Sequence, residues 1–232
     1  MKPFFAKLPV GAAALITFGG CGDSSGPGGG GGGGGGGTTT AKVTDPIGDT
    51  YGVDSVQWDL TALTVVRDAG GVTVVLDLSA LVLSPVAGDT NATYAFVDFD
   101  TDQDSTTGIS SIVDDNRPGL GSTGMGVDYW IDLANFASDS TVNVVSAALS
   151  ITGTVRPTLA GASITAFIPL TMLGGDDGFL NAAAIVGTII EPTDIIPEDG
   201  HLRLGGTGPV APTGSSAIYA RRAAARRPWR KP

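Results

Sequence analysis

The chain has 232 residues, a formal net charge of −10 at pH 7, and a single cysteine and a single histidine. One cysteine rules out a disulfide within the chain, and one histidine leaves too few ligands for a typical zinc site. Between residues 41 and 210 five basic residues (Lys42, Arg67, Arg117, Arg156, Arg203) stand against twenty-two acidic ones, a balance that speaks against nucleic acid as a partner.

At the N-terminus Lys2 and Lys7 flank the start of a mostly apolar run, Leu8 to Phe18, and the small residues Gly19 and Gly20 precede Cys21. Residues 1–20 thus read as a secretory signal, and the run is too short to cross a bilayer as a helix. Phe18-Gly19-Gly20-Cys21 resembles the lipobox of bacterial lipoproteins, with Phe18 where Leu is usual. That resemblance implies cleavage before Cys21, lipidation of its thiol, and an exported protein anchored to a membrane, the outer membrane or cell surface being open. An ordinary signal peptide with an incidental cysteine is the alternative.

Residues 21–40 are nearly devoid of apolar side chains, and Gly28 to Gly37 is unbroken glycine, so this segment is expected to be a flexible tether. Residues 41–210 are enough for one domain with a substantial core. The last segment, 211–232, is basic, with Arg221, Arg222, Arg226, Arg227, Arg230 and Lys231 around Trp229. It is read as a disordered end or as a patch for anionic lipid or polysaccharide.

Within the domain apolar residues recur with period two, and no amphipathic helix of ten residues or more is evident. Val56, Trp58, Leu60 and Ala62 alternate with polar residues, Asp68 to Gly71 forms a turn, and Val72, Val74, Leu76 and Leu78 share a face of the returning strand. Tyr94 to Asp100 alternates, as does Asp128 to Leu133, with Tyr129, Ile131 and Leu133 on one face and Trp130 on the other. Val145, Ala147, Leu149 and Ile151 line a strand expected to turn near Gly153, and Ile164 to Leu170 gives another. Ala182 to Ile190 is apolar on both faces, as a central strand would be. The expected fold is all-β: a two-sheet antiparallel sandwich, jelly-roll or immunoglobulin-like, with a closed barrel as the alternative.

The densest polar feature is Asp98-Phe99-Asp100-Thr101-Asp102-Gln103-Asp104. Carboxylates this close repel one another unless a cation sits among them, and calcium takes six to eight hard oxygen ligands in tolerant geometry. Asp98, Asp100, Asp102 and Asp104 are therefore candidate Ca2+ ligands; a solvated acidic turn is the alternative. The spacing is not that of an EF-hand, because Gln103 stands where its glycine is needed and Ile109 where its glutamate is. Asp45 and Asp49, followed by Asp54, open the domain, while Asp194, Glu198 and Asp199 close it. If the first and last strands are neighbours, the two acidic groups meet in a second cation site.

The order Asp45-Pro46-x-Gly48-Asp49, then Val97-Asp98-Phe99-Asp100-Thr101-Asp102-x-Asp104, Gly126-Val127-Asp128-Tyr129 and Phe167-Ile168-Pro169-Leu170 resembles the DOMON-like β-sandwiches. These include family-nine carbohydrate-binding modules and glucodextranase-type C-terminal modules. The resemblance implies a binding module with calcium in the aspartate loop. Trp130 and Trp58 are the candidate sugar platforms, Trp130 because it alternates with inward-facing neighbours. No haem is expected, and no catalytic residue is assigned, so the chain is not expected to be an enzyme. The function so read is a membrane-anchored, calcium-stabilised module for an extracellular glycan. The alternative is a structural or adhesion protein that meets other proteins through an edge strand, favoured if both indoles are buried. The sequence leaves the oligomeric state open.

Overall fold

The computed structural model describes residues 37–53, 55–82, 88–117, 119, 121–133, 141–174 and 178–205. The signal segment, Cys21, most of the glycine run, Asp54 and the basic end lie outside the described residues.

The domain is a β-sandwich of two antiparallel sheets, not a closed barrel. One sheet has the order β1-β2-β3-β9-β8, formed by β1 (Thr39–Thr44), β2 (Leu60–Arg67), β3 (Gly71–Leu78), β9 (Ser163–Pro169) and β8 (Thr158–Ala160). The other runs β11-β10-β4-β5-β6-β7, with β12 also on β10. Its strands are β11 (Pro192–Ile196), β10 (Leu180–Gly187), β4 (Tyr94–Asp100), β5 (Tyr129–Asp132), β6 (Val142–Ser146), β7 (Ile151–Val155) and β12 (Leu202–Leu204). β11 and β12 pair with opposite ends of β10.

The main core lies between the sheets. Alternate residues of each strand supply it: Leu63 and Val65 from β2, Val72, Val74 and Leu76 from β3, Val97 and Phe99 from β4, and Ala182, Ala184 and Val186 from β10. A second cluster lies on the far side of the seven-stranded sheet. There α1 (Ile112–Asn116) and the segment around Met125 and Val127 cover Phe96, Trp130, Ala183 and Ile185. β4 and β10 are thus covered on both faces, which is why both read as apolar almost throughout.

α1 is too short to be stable alone. Ser111 caps it by accepting from the Asp114 amide at 3.2 Å. Asp114 in turn accepts from the amide and hydroxyl of Thr123, each at 2.8 Å, so the helix and the segment 121–127 are stitched into one flap.

The β2–β3 hairpin follows the alternation, with Asp68 Oδ1 accepting from the amides of Gly70 and Gly71 at its turn. Other expected boundaries move. The ordered sheet begins at Thr39 rather than at residue 41, because Thr39 and Thr40 pair with Arg67 and Val66; edge pairing uses the backbone, and β-branched threonines suit it. Val56 to Trp58 is not strand: β2 starts at Leu60, with a bulge between Leu60 and Ala62 that moves the inward positions to Leu63 and Val65. The turn expected near Gly153 falls earlier, between β6 and β7, where Leu149 adopts φ 60° and is exposed with Ile151. β10 stops at Gly187, and Ile189 and Ile190 lie exposed in the turn beyond it. No helix among the described residues is long and apolar enough to cross a membrane.

Candidate metal centres

Among the described residues two groups of carboxylates converge, on different parts of the fold. The first sits where β4 leaves its sheet. β4 and β5 pair with Phe99 opposite Tyr129, and the Asp128 amide donates to the Phe99 carbonyl at 2.9 Å. The residue before β5 is thereby brought beside the end of β4, and Asp100, Asp102 and Asp128 place carboxylate oxygens within 4.8 Å of one another.

Asp100 is fully buried. Its Oδ2 accepts from Asn181 Nδ2 at 3.0 Å, while its Oδ1 accepts no hydrogen bond. Asn181 is held in turn by Gln103, which donates to its Oδ1 at 3.1 Å and accepts from Arg203 at 3.1 Å. Gln103 reaches this position with φ 55°. Burial raises the Asp100 carboxyl above its ordinary value, the Asn181 bond opposes this, and the charges of Asp128 and Asp102 add to the rise. Asp128 Oδ2 accepts from the amide and hydroxyl of Thr101 at 2.9 and 3.0 Å.

Of the four aspartates singled out by spacing, the structure brings Asp100 and Asp102 into this group and leaves Asp98 and Asp104 out of it. Asp98 lies two residues back on β4, about 7 Å along the strand, beneath the flap. Its Oδ2 accepts from the Ser111 hydroxyl at 2.7 Å and the Val113 amide at 3.2 Å, and its Oδ1 accepts nothing. Burial pushes its carboxyl up to about 7 against the pull of those bonds. Asp104 turns outward to cap its own loop: its Oδ1 accepts from the amide and hydroxyl of Thr106 at 2.9 and 2.6 Å, which lowers its pKa. The carboxylate that spacing missed is Asp128, 24 residues beyond Asp104 and delivered by strand register.

The second group lies at the end of the sandwich where the β1–β2 connection meets β11. That connection is laced to β11 by the Tyr51 amide donating to the Thr193 carbonyl at 2.9 Å and the Thr193 hydroxyl donating to the Trp58 carbonyl at 2.6 Å. Two glycines permit the approach. Gly48 adopts φ 88°, and a Cβ on Gly52 would lie 2.7 Å from Thr193 Cγ2. Asp45 and Asp49 thereby meet Glu198, and Asp49 also meets Asp59 and Asp194, the carboxylate oxygens of each trio lying within 4.8 Å of one another. Asp194 is fully buried, and burial first, then the charges of Asp45 and Asp49, raises its carboxyl well above the ordinary value. Within a trio, two unit charges no more than 4.8 Å apart repel by at least roughly 3 kcal/mol even at an effective dielectric constant of about 20. Asp59, 6 % exposed, joins the trio although the alternation made it only an outward strand residue.

Both carboxylate groups have the donor chemistry to hold a metal ion, all hard oxygen. The aromatic platforms fare differently. Trp130 is only 5 % exposed, because the flap over the seven-stranded sheet covers the face that the alternation turned outward; it is not a surface platform. Trp58 is half-buried against the main core, its Nε1 donating to the Asn91 carbonyl at 3.1 Å. His201 has its Nδ1 2.7 Å from the Thr123 carbonyl oxygen, on the flap.

No protein-family model matches the chain, and no curated protein matches it either.

Proposed function

We propose that the chain is an exported, lipid-anchored binding module, not a catalyst, whose sandwich is stabilised by Ca2+ in the Asp100–Asp102–Asp128 loop and which takes an extracellular glycan. The observation that carries the calcium reading is Asp100 Oδ1: a fully buried carboxylate oxygen without a hydrogen bond, beside two further carboxylates. A buried acceptor in that state is costly, and a hard cation satisfies it. The anchor rests on Cys21 and the residues before it.

The glycan reading no longer rests on Trp130. It is supported instead by the outer face of the five-stranded sheet, where strand register sets Thr40, Lys42, Thr64, Thr73, Thr165 and Phe167 on the side away from the core. Phe167 is 47 % exposed. Hydroxyls around an exposed ring suit a sugar chain, which needs hydrogen bonds and one apolar stacking surface. The test is affinity electrophoresis of the intact chain through a panel of soluble polysaccharides, beside Phe167→Ala. Retardation by one polysaccharide, lost in the variant, supports the reading; identical mobility in every gel removes it. The second reading, adhesion through an edge strand, is favoured by burial of both indoles; Trp130 is buried and Trp58 only half-buried. It predicts no retardation but capture of a protein partner unaffected by Phe167→Ala.

A further inference from the structure

The second carboxylate group shares no residue with the aspartate loop and stands toward the other end of β10, where Asp194 pairs with Val186 while Asp100 pairs with Asn181. Its members come from three places in the chain: Asp49 from the middle of the β1–β2 connection, Asp59 from the residue before β2, and Asp194 from β11. β2 and β11 belong to different sheets. We propose that Asp49, Asp59 and Asp194 bind a divalent cation of the calcium type that clasps the β1–β2 connection to β11 and ties the two sheets together at this end.

The acidic cluster alone does not carry this; Asp59 does. Its Oδ2 accepts from the Gly48 amide at 2.9 Å, whereas its Oδ1, in a side chain more than nine-tenths buried, accepts no hydrogen bond. Both Asp194 oxygens are taken, Oδ2 by the Leu60 amide at 2.7 Å and Oδ1 by the Ile195 amide at 2.9 Å. Those bonds fix the Asp194 carboxylate rigidly and leave each oxygen a further lone pair for a metal. A cation with oxygen ligands at about 2.4 Å accepts ligand atoms up to about 4.8 Å apart, and the oxygens of this trio lie within 4.8 Å of one another. Backbone carbonyls and water complete such a shell, as calcium tolerates and a rigid octahedral ion does less readily. Asp49 also belongs to the adjoining trio with Asp45 and Glu198, so the clasp opens toward the half-buried Asp45.

Calcium titration calorimetry on the intact chain, stripped by chelation, separates this clasp from the aspartate loop. Wild type is expected to bind at least two ions, Asp59→Asn one fewer, and Asp102→Asn one fewer in an additive way. Asn at 59 keeps an acceptor for Gly48 and removes the charge. Asp49→Asn, at a half-buried position, serves if the first variant does not fold. Unchanged stoichiometry in folded Asp59→Asn or Asp49→Asn overturns the clasp, as does a single ion in wild type that Asp102→Asn abolishes. A single ion lost in Asp59→Asn and kept in Asp102→Asn upholds the clasp and overturns the loop.

Hydrogen exchange on the wild type needs no variant. The amides of Gly48, Tyr51 and Leu60, which bond to Asp59, Thr193 and Asp194, should exchange about 100-fold more slowly at a calcium concentration about 100 times Kd. Equal exchange at these amides with saturating calcium and with chelator overturns the proposal.

Discussion

The amide of Leu60 donates to Asp194 Oδ2 at 2.7 Å, a bond that joins the first residue of β2 to the middle of β11 and so crosses from one sheet to the other. Asp194 also accepts from Ile195, so its carboxylate answers two buried amides at once. Asp194→Ala is therefore expected to leave two donors without acceptors and to cost roughly 2–4 kcal/mol. Urea unfolding in chelator, where no bound ion contributes, measures it; a loss below about 1 kcal/mol would show that the end of the sandwich relaxes without this residue.

Asp98 gives a pH dependence whose sign is unusual for an aspartate. Its carboxyl is pushed up to about 7 by burial, against an ordinary value of 3.8. Between these limits the folded chain holds a proton that the unfolded chain has released, so the stability it contributes is complete below about pH 4 and is lost as pH rises toward 7. The loss is up to about 4 kcal/mol, from roughly 1.4 kcal/mol per pH unit. Asp98→Asn keeps an acceptor for Ser111 and Val113 and carries no charge. In chelator the variant should match wild type near pH 4 and exceed it in stability at pH 8; equal urea midpoints at both pH values would contradict this.

The two carboxylate groups differ in what the sequence could reveal. Asp100 and Asp102 stand out by density alone, and the meeting of the opening and closing acidic clusters follows once the first and last strands are taken as neighbours. Asp128 and Asp59 do not stand out, because each is isolated in sequence and is delivered by strand register or by a long connection. Asp98 misled for a related reason: it shares its strand face with Asp100, but a flap built around Ser111 and Asp114 covers it. The same flap buries Trp130, and nothing in a period-two pattern reports whether the outer face of a sheet is roofed. Strand periodicity gave the hairpin and the central strands well. It failed at Leu60, where a bulge breaks the alternation, and at Leu149, where a left-handed residue in an apolar run makes the turn.

Asp102 is exposed, and its Oδ1 and Oδ2 accept from the Asp104 amide at 2.9 Å and the Thr107 hydroxyl at 2.8 Å. Asp102→Asn should thus change the metal-free stability by no more than about 0.5 kcal/mol. The calcium-dependent gain of this loop, about 3 kcal/mol at 100 times Kd, should vanish. Thermal melts of both chains in chelator and in calcium read the two effects separately. An undiminished calcium response, in a chain whose clasp has been removed by Asp59→Asn, would move the ion away from Asp102.

Gly126 tests whether the loop depends on the flap behind it. A Cβ at this position would overlap the Thr107 carbonyl oxygen and lie 2.8 Å from that of Asp104, both backbone atoms of the acidic loop. Neither can move without displacing the loop, since Thr107 donates its amide to the Asp104 carbonyl at 3.0 Å and Gly108 is packed against Val127 with φ 69°. Gly126→Ala should therefore destabilise the domain by about 1–3 kcal/mol through overpacking. It should also weaken calcium binding at Asp100, Asp102 and Asp128, although residue 126 carries no ligand. The clasp at Asp59 shares no residue with the loop that Gly126 abuts and should titrate as before, so calorimetry of the variant is expected to lose affinity in one binding event only. Loss of both events would point to global unfolding, and loss of neither would show that the loop tolerates displacement from the flap.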